Sequence, residues 1–80
     1  MREVIEHKRV QNSYQFRAKW EGHDDETWQS FASLRTNLRL LQYCQHGAGS
    51  EDEQLHVWLK AKINRWKSPE ARELYDFLIE

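Results

Sequence analysis

Cys44 is the only cysteine in the chain, so an internal disulfide is excluded. The fold needs no oxidising compartment, which fits nucleus or cytosol. No apolar run approaches the roughly 20 residues that cross a bilayer, and no signal-peptide pattern opens the sequence. The expectation is a soluble intracellular protein with no membrane partner. Neither sign of charge dominates: 12 Lys and Arg stand against 13 Asp and Glu, a net charge of -1 with histidine neutral. That balance argues against a generic electrostatic hold on nucleic acid and leaves only local patches for such a role. A glycine-rich phosphate loop and a nucleophile elbow are both missing. Four histidines (His7, His23, His46, His56) and Cys44 show neither C-x2-C nor H-x3-H spacing, and the Cys44-x-His46 pair is too little to hold a metal. The expected protein is not an enzyme and carries no cofactor and no metal.

The 80 residues present allow one domain at most. Hydrophobic residues make up 39% and charged residues 31%, within the globular range. So short a chain buries only about 60% of its unfolded surface and has little apolar material to spare. Its aromatic share includes Trp20, Trp28, Trp58 and Trp66, large rings that can fill a core too small for aliphatic residues alone.

Hydrophobic period divides the chain in two. Val4, Ile5 and Val10 mark a first strand, and Tyr14, Phe16 and Ala18 alternate with Gln15, Arg17 and Lys19 in a second. Asn12-Ser13 reads as the hairpin turn between them. Gly22 ends the second strand, Asp24-Asp25-Glu26 forms an acidic loop, and Thr27-Trp28 opens a short third strand. Thr36 or Asn37 can then cap a helix to about His46, with Gly47 at its end. Gly47 to Ser50 reads as a flexible joint. Ser50 and Glu53 have the spacing of a capping box, followed by an apolar stripe of Leu55, Trp58 or Leu59, Ile63 and Trp66. Ser68-Pro69-Glu70 starts a last helix, with Ala71, Leu74, Tyr75 and Leu78 on its apolar face. Sheet first and helices after is an α+β pattern. The expected organisation is a module over 1–46, the joint over 47–50 and a helical extension over 51–80.

The stretches VIEHKRV, YQFRAKWEGHDDETW and SLRTNLRLLQYCQ, from Val4 to about Gln45, resemble a divergent chromodomain of the heterochromatin-protein type. The most specific part is Lys19-Trp20-Glu21-Gly22 followed by Thr27-Trp28 after an acidic loop. This resemblance implies a three-stranded, curved antiparallel sheet packed by the 36–46 helix, with two further helices appended. It also implies a nuclear, chromatin-associated module that binds a histone tail peptide or another chromatin protein as an added strand. In the family, three aromatic rings cage a methylated lysine by cation–π attraction, about 0.5–2 kcal/mol for a well-placed ring. Trp20 matches the central ring, and His23 stands where the family has Tyr or Phe. The first cage aromatic precedes the Val4-Ile5 pair by several residues, ahead of Met1 in this numbering. Asp24, Asp25 and Glu26 are available to face a cation. Gln29 replaces the family's glutamate after Trp28, and Ser33 stands where many members have a peptide-clasping asparagine.

Each of these features also has a plainer reading. Trp20 can be a cage wall or a core ring, and Trp28 is read as core. Asp24, Asp25 and Glu26 also suit a solvated turn. Lys60, Lys62, Arg65 and Lys67 lie beside Trp58 and Trp66, where basic and aromatic residues together can track phosphates and stack bases. The alternative there is an amphipathic helix with charged stems around a buried face. The last two helices either pack back on the sheet or offer an apolar surface to a partner or a second copy. The first functional expectation is therefore a peptide-binding chromatin module with a reduced methyl-lysine pocket. The second is a divergent chromodomain without methyl-lysine reading, acting as an interaction or dimerisation unit. The third is weak nucleic-acid binding through a basic face.

Overall fold

The period-two alternation of Ser13–Lys19 belongs to the middle strand of a sheet in the computed structural model, which describes residues 2–22 and 24–79. β1 (Glu3–Val10), β2 (Ser13–Lys19) and β3 (Glu26–Ser30) pair antiparallel in the order β1-β2-β3. The chain is α+β: this open sheet comes first and helices follow. Tyr14, Phe16 and Ala18 are buried on one face, while Gln15, Arg17 and Lys19 stay partly exposed on the other. Val4 pairs with Ala18 and Glu6 with Arg17, so Ile5 is the extra residue of a β-bulge. The bulge resets the alternation and sets His7 opposite Phe16 on the inner face.

The hairpin turn is one residue earlier than Asn12-Ser13. Val10 pairs with Ser13, leaving Gln11-Asn12 as the loop, and Gln11 at φ 57° takes the left-handed conformation a tight hairpin requires. Trp28 differs more. The register places it opposite Arg17, on the face away from Phe16, so it is half-buried and outside the core. Lys8 Nζ lies 4.2 Å from its ring centroid. A strand's period of two decides which face a side chain takes, and register is not written in the strand itself.

A short helix, α1 (Phe31–Leu34), follows β3 directly, its start held by Ser30 Oγ accepting from the Ser33 N–H. α2 (Leu38–Gln45) is capped by Asn37, whose Oδ1 accepts from the Arg39 N–H at 2.9 Å. Gly47 sits where expected, and its N–H donates to the Gln42 and Tyr43 carbonyls. Its joint is not flexible linker. Ala48–Glu51 forms a 3-10 turn with Gly49 buried against Tyr43, where an added Cβ would come within 2.8 Å of the ring. Because this turn absorbs Ser50, the capping box with Glu53 does not form. Ser50 Oγ donates to the Gly47 carbonyl instead, and Asp52 caps α3 (Glu53–Trp66). Ser68 and Pro69 open α4 (Pro69–Leu74) as expected, but the last helix breaks at Tyr75 before α5 (Asp76–Ile79). The break accompanies full burial of Tyr75, whose hydroxyl donates to the Arg35 carbonyl at 2.8 Å.

One hydrophobic cluster runs through the whole fold. Phe16 of the sheet, Leu40 of α2, Leu55 and Leu59 of α3 and Tyr75 between α4 and α5 are all fully buried within it. The C-terminal helices therefore pack back on the sheet, and the segments 1–46 and 51–80 share a core. Leu59→Ala should lower stability by about 2–5 kcal/mol, the usual cost of emptying a buried leucine site, measured by urea denaturation. Deleting 51–80 should remove the cooperative transition altogether, whereas a sheet module independent of the helices would keep it.

Candidate functional site

Trp20 follows β2 at the end of the sheet where the Arg2 N–H donates to the Lys19 carbonyl at 2.8 Å. Gly22, at φ 75°, turns the chain away immediately afterwards. The Trp20 ring is half-buried and its indole N–H donates to Thr27 Oγ1 at 2.6 Å. Gln29 Nε2 donates to the same oxygen at 3.0 Å. Thr27 and Gln29 are alternate residues of β3 and share a face, so strand geometry brings them both to Trp20.

The surroundings of the four tryptophans divide them. Lys8 lies over Trp28, Arg35 over Trp66 and Lys62 over Trp58. Trp58 also meets Tyr14 and Phe31 edge-on. Trp20 has neither a cation over its ring nor an aromatic neighbour among the described residues.

The other expected site residues are only partly assembled. Asp24 and Asp25 are exposed just before the Glu26–Lys19 register pair, beside Trp20. Glu26 is already engaged, its Oε2 lying 3.0 Å from Arg17 Nε in an ion pair without hydrogen-bond alignment. Arg17 also reaches Glu6 Oε2 at 3.1 Å. Ser33 is on α1, beyond the opposite end of β3, with its hydroxyl 3.1 Å from that of Ser30. His23 lies outside the described residues.

A groove of about 610 Å³ opens between the start of β1 and α2, at the Trp20 end of the sheet. Arg2, Glu3, Val4 and Ile5 line one wall, and Arg39, Gln42, Tyr43 and His46 the other. Among the described residues β1 pairs only with β2, so its outer edge has no strand partner. Arg39 and Gln42 escaped the sequence reading, and His46 was weighed there only as a metal ligand, although their spacing along α2 and its end marks one helix face.

A second feature also went unread. His7 Nδ1 is 2.6 Å from the Tyr43 hydroxyl, and His7 Nε2 is 2.7 Å from Asp52 Oδ2. A carboxylate only accepts, so Nε2 carries the proton donated to Asp52 and, in the neutral ring, Nδ1 accepts from Tyr43. Burial pushes the Tyr43 hydroxyl up to about 12. This chain of groups has the membership of a proton relay, but its hydroxyl is buried and holds its proton strongly. It joins β1 to α2 and to the cap of α3. Burial likewise pushes the Cys44 thiol up to about 12, leaving it a small apolar residue of the core rather than a nucleophile. Among the described residues, no group of three or more His, Cys, Asp or Glu side chains is placed to hold a metal, and no helix is long and apolar enough to cross a membrane. No family model matches this chain, and neither does any curated protein or solved structure.

The hydrogen bond from His7, and then that from the Leu55 N–H, hold the Asp52 carboxyl below its ordinary value. A carboxyl with a depressed folded pKa stabilises the fold above its unfolded pKa of about 3.9, and that contribution fades as pH falls through the folded value. Asp52→Asn should therefore melt lower than the parent near pH 7, with the gap closing below about pH 4. Thermal melts from pH 7 to pH 2.5 test this; a gap that stays constant with pH would leave the carboxylate without its assigned part.

Proposed function

We propose that this chain is a non-enzymatic binding module of chromatin, and hence a nuclear protein, which holds an extended histone tail in the groove between β1 and α2. In this reading a methylated lysine of the tail rests against Trp20. The observation that carries it is the contrast among the tryptophans: among the described residues three rings already hold a cation of the chain itself, and Trp20 holds none. Its bond to Thr27 fixes the ring before any ligand arrives, which reduces the ordering cost of binding. Exposed Asp24 and Asp25 add negative potential beside it. The outer edge of β1, which has no strand partner among the described residues, offers backbone donors and acceptors to an added strand, the source of most affinity in such complexes.

One ring and a solvated acidic loop make a weak pocket. Cation–π attraction at an exposed ring is worth about 0.5–1 kcal/mol, so methylation should change affinity by less than about tenfold. The alternative of an interaction or dimerisation unit built from the C-terminal helices draws less support, because Leu55, Leu59, Ile63, Tyr75 and Leu78 are buried within the fold.

Titration with matched unmodified and trimethylated histone H3 tail peptides, followed by NMR, tests the reading. Methyl-dependent shifts are expected at the Trp20 indole, with shifts of the residue 2–5 amides for either peptide. Trp20→Ala should erase the difference between the peptides and preserve the rest of the spectrum. No shifts at millimolar peptide would sink the proposal.

A further inference from the structure

At the opposite end of the sheet from Trp20, a pocket of about 330 Å³ lies between α1 and α3. Trp58, Lys62, Arg65 and Trp66 of α3 line it together with Arg35, the residue that ends α1. Ser13 and Ser30 stand on its rim, and no Asp or Glu among the described residues lines it. Three cations thus share one concavity. None of them is in an ion pair among the described residues.

Two of these cations are held in place by the rings. The Arg35 guanidinium is centred 4.2 Å from the Trp66 ring, and Lys62 Nζ is 5.4 Å from that of Trp58. Trp58 is itself fixed, its indole N–H donating to the Asn12 carbonyl at 3.1 Å and its ring meeting Tyr14 and Phe31. A guanidinium that stacks through its face keeps its in-plane N–H donors free. Charged stems merely wrapping a buried face would send their heads into water, whereas Arg35 and Lys62 are half-buried over the indoles. Like charges gathered without a counter-charge repel one another. The pocket is therefore built for a compact anion.

We propose that it binds the phosphate of a phosphoserine or phosphothreonine on a partner peptide, independently of the Trp20 reading. A phosphomonoester carries about -1.5 to -2 charge near neutral pH and three strong acceptor oxygens, which suits a small cluster of cations. A nucleic-acid strand fits less well. Lys60 on α3 and Lys67, which caps the end of that helix, do not line the pocket, so its charge does not continue along a track. The Trp58 ring is occupied by Lys62, Tyr14 and Phe31, and Arg35 covers Trp66, which leaves little ring surface for stacking bases.

The test is an NMR titration of the full chain with N-acetyl-phosphoserine amide, its serine counterpart and a twelve-nucleotide oligo-dT. Saturable shifts are expected for phosphoserine at the Trp58 and Trp66 indoles and around Arg35, Lys62 and Arg65, with none for serine. Arg35→Gln with Lys62→Gln should weaken phosphoserine at least tenfold, and Lys60→Gln should not change it. Arg65→Gln alters an exposed side chain outside both stacks and should weaken binding at least threefold in an intact fold. The proposal is overturned by equal shifts with serine, by non-saturating shifts that include Lys60 and Lys67, or by an unchanged affinity in Arg65→Gln. Tighter binding of oligo-dT at the same residues would overturn it in favour of nucleic acid.

Discussion

The imidazole of His7 is the point through which strand and helix geometry are tied together. One ring nitrogen meets the Tyr43 hydroxyl on α2 and the other meets Asp52, which in turn caps α3. Each partner is constrained by something further: Tyr43 by Gly49 closing over its ring, Asp52 by the 3-10 turn that delivers it. The bulge at Ile5 is what aims His7 inward. A polar group inside a small domain is costly unless every donor and acceptor is satisfied. Here both nitrogens are, and the result fixes the position of α2, one wall of the groove beside β1.

Local chemistry was legible where a residue acts on its neighbours. The alternation over Ser13–Lys19, the Asn37 cap and the Ser68-Pro69 start depend only on adjacent backbone, and they appear where the residues imply them. Legibility ended where two distant segments decide together. The face taken by Trp28 is set by its pairing with Arg17, and Asp52, the cap that stands in place of Ser50, is also bonded to His7, 45 residues away. In the candidate site, Trp20 could be picked out from Lys19-Trp20-Glu21-Gly22, but its anchor on Thr27 could not. Arg35 carried no sequence signal linking it to Lys62 and Arg65, because only the packing of α1 against α3 unites them.

The tryptophans show how a chain with little apolar material uses its rings twice. Trp58 and Trp66 pack against the core on one side and carry cations on the other. Trp28 covers the outer face of the sheet under Lys8, with the Glu6–Arg17–Glu26 ion pairs beside it. Each such contact is modest, about 0.5–1 kcal/mol at a wet surface, but it orders long side chains that would otherwise move freely. Surface charge is thereby arranged rather than merely exposed.

The long-range hydrogen bonds bear on how the chain reaches this state. His7 to Asp52, Asn12 to Trp58 and Arg35 to Tyr75 join residues 45, 46 and 40 positions apart. Closing loops of that length costs entropy before any contact repays it. During synthesis the hairpin leaves the ribosome before the helices that cover it, with the inner face of its sheet still uncovered. The fold closes only once the segment around Tyr75 has emerged, so a pause in translation before that point would leave a sticky, half-finished sheet in need of a chaperone.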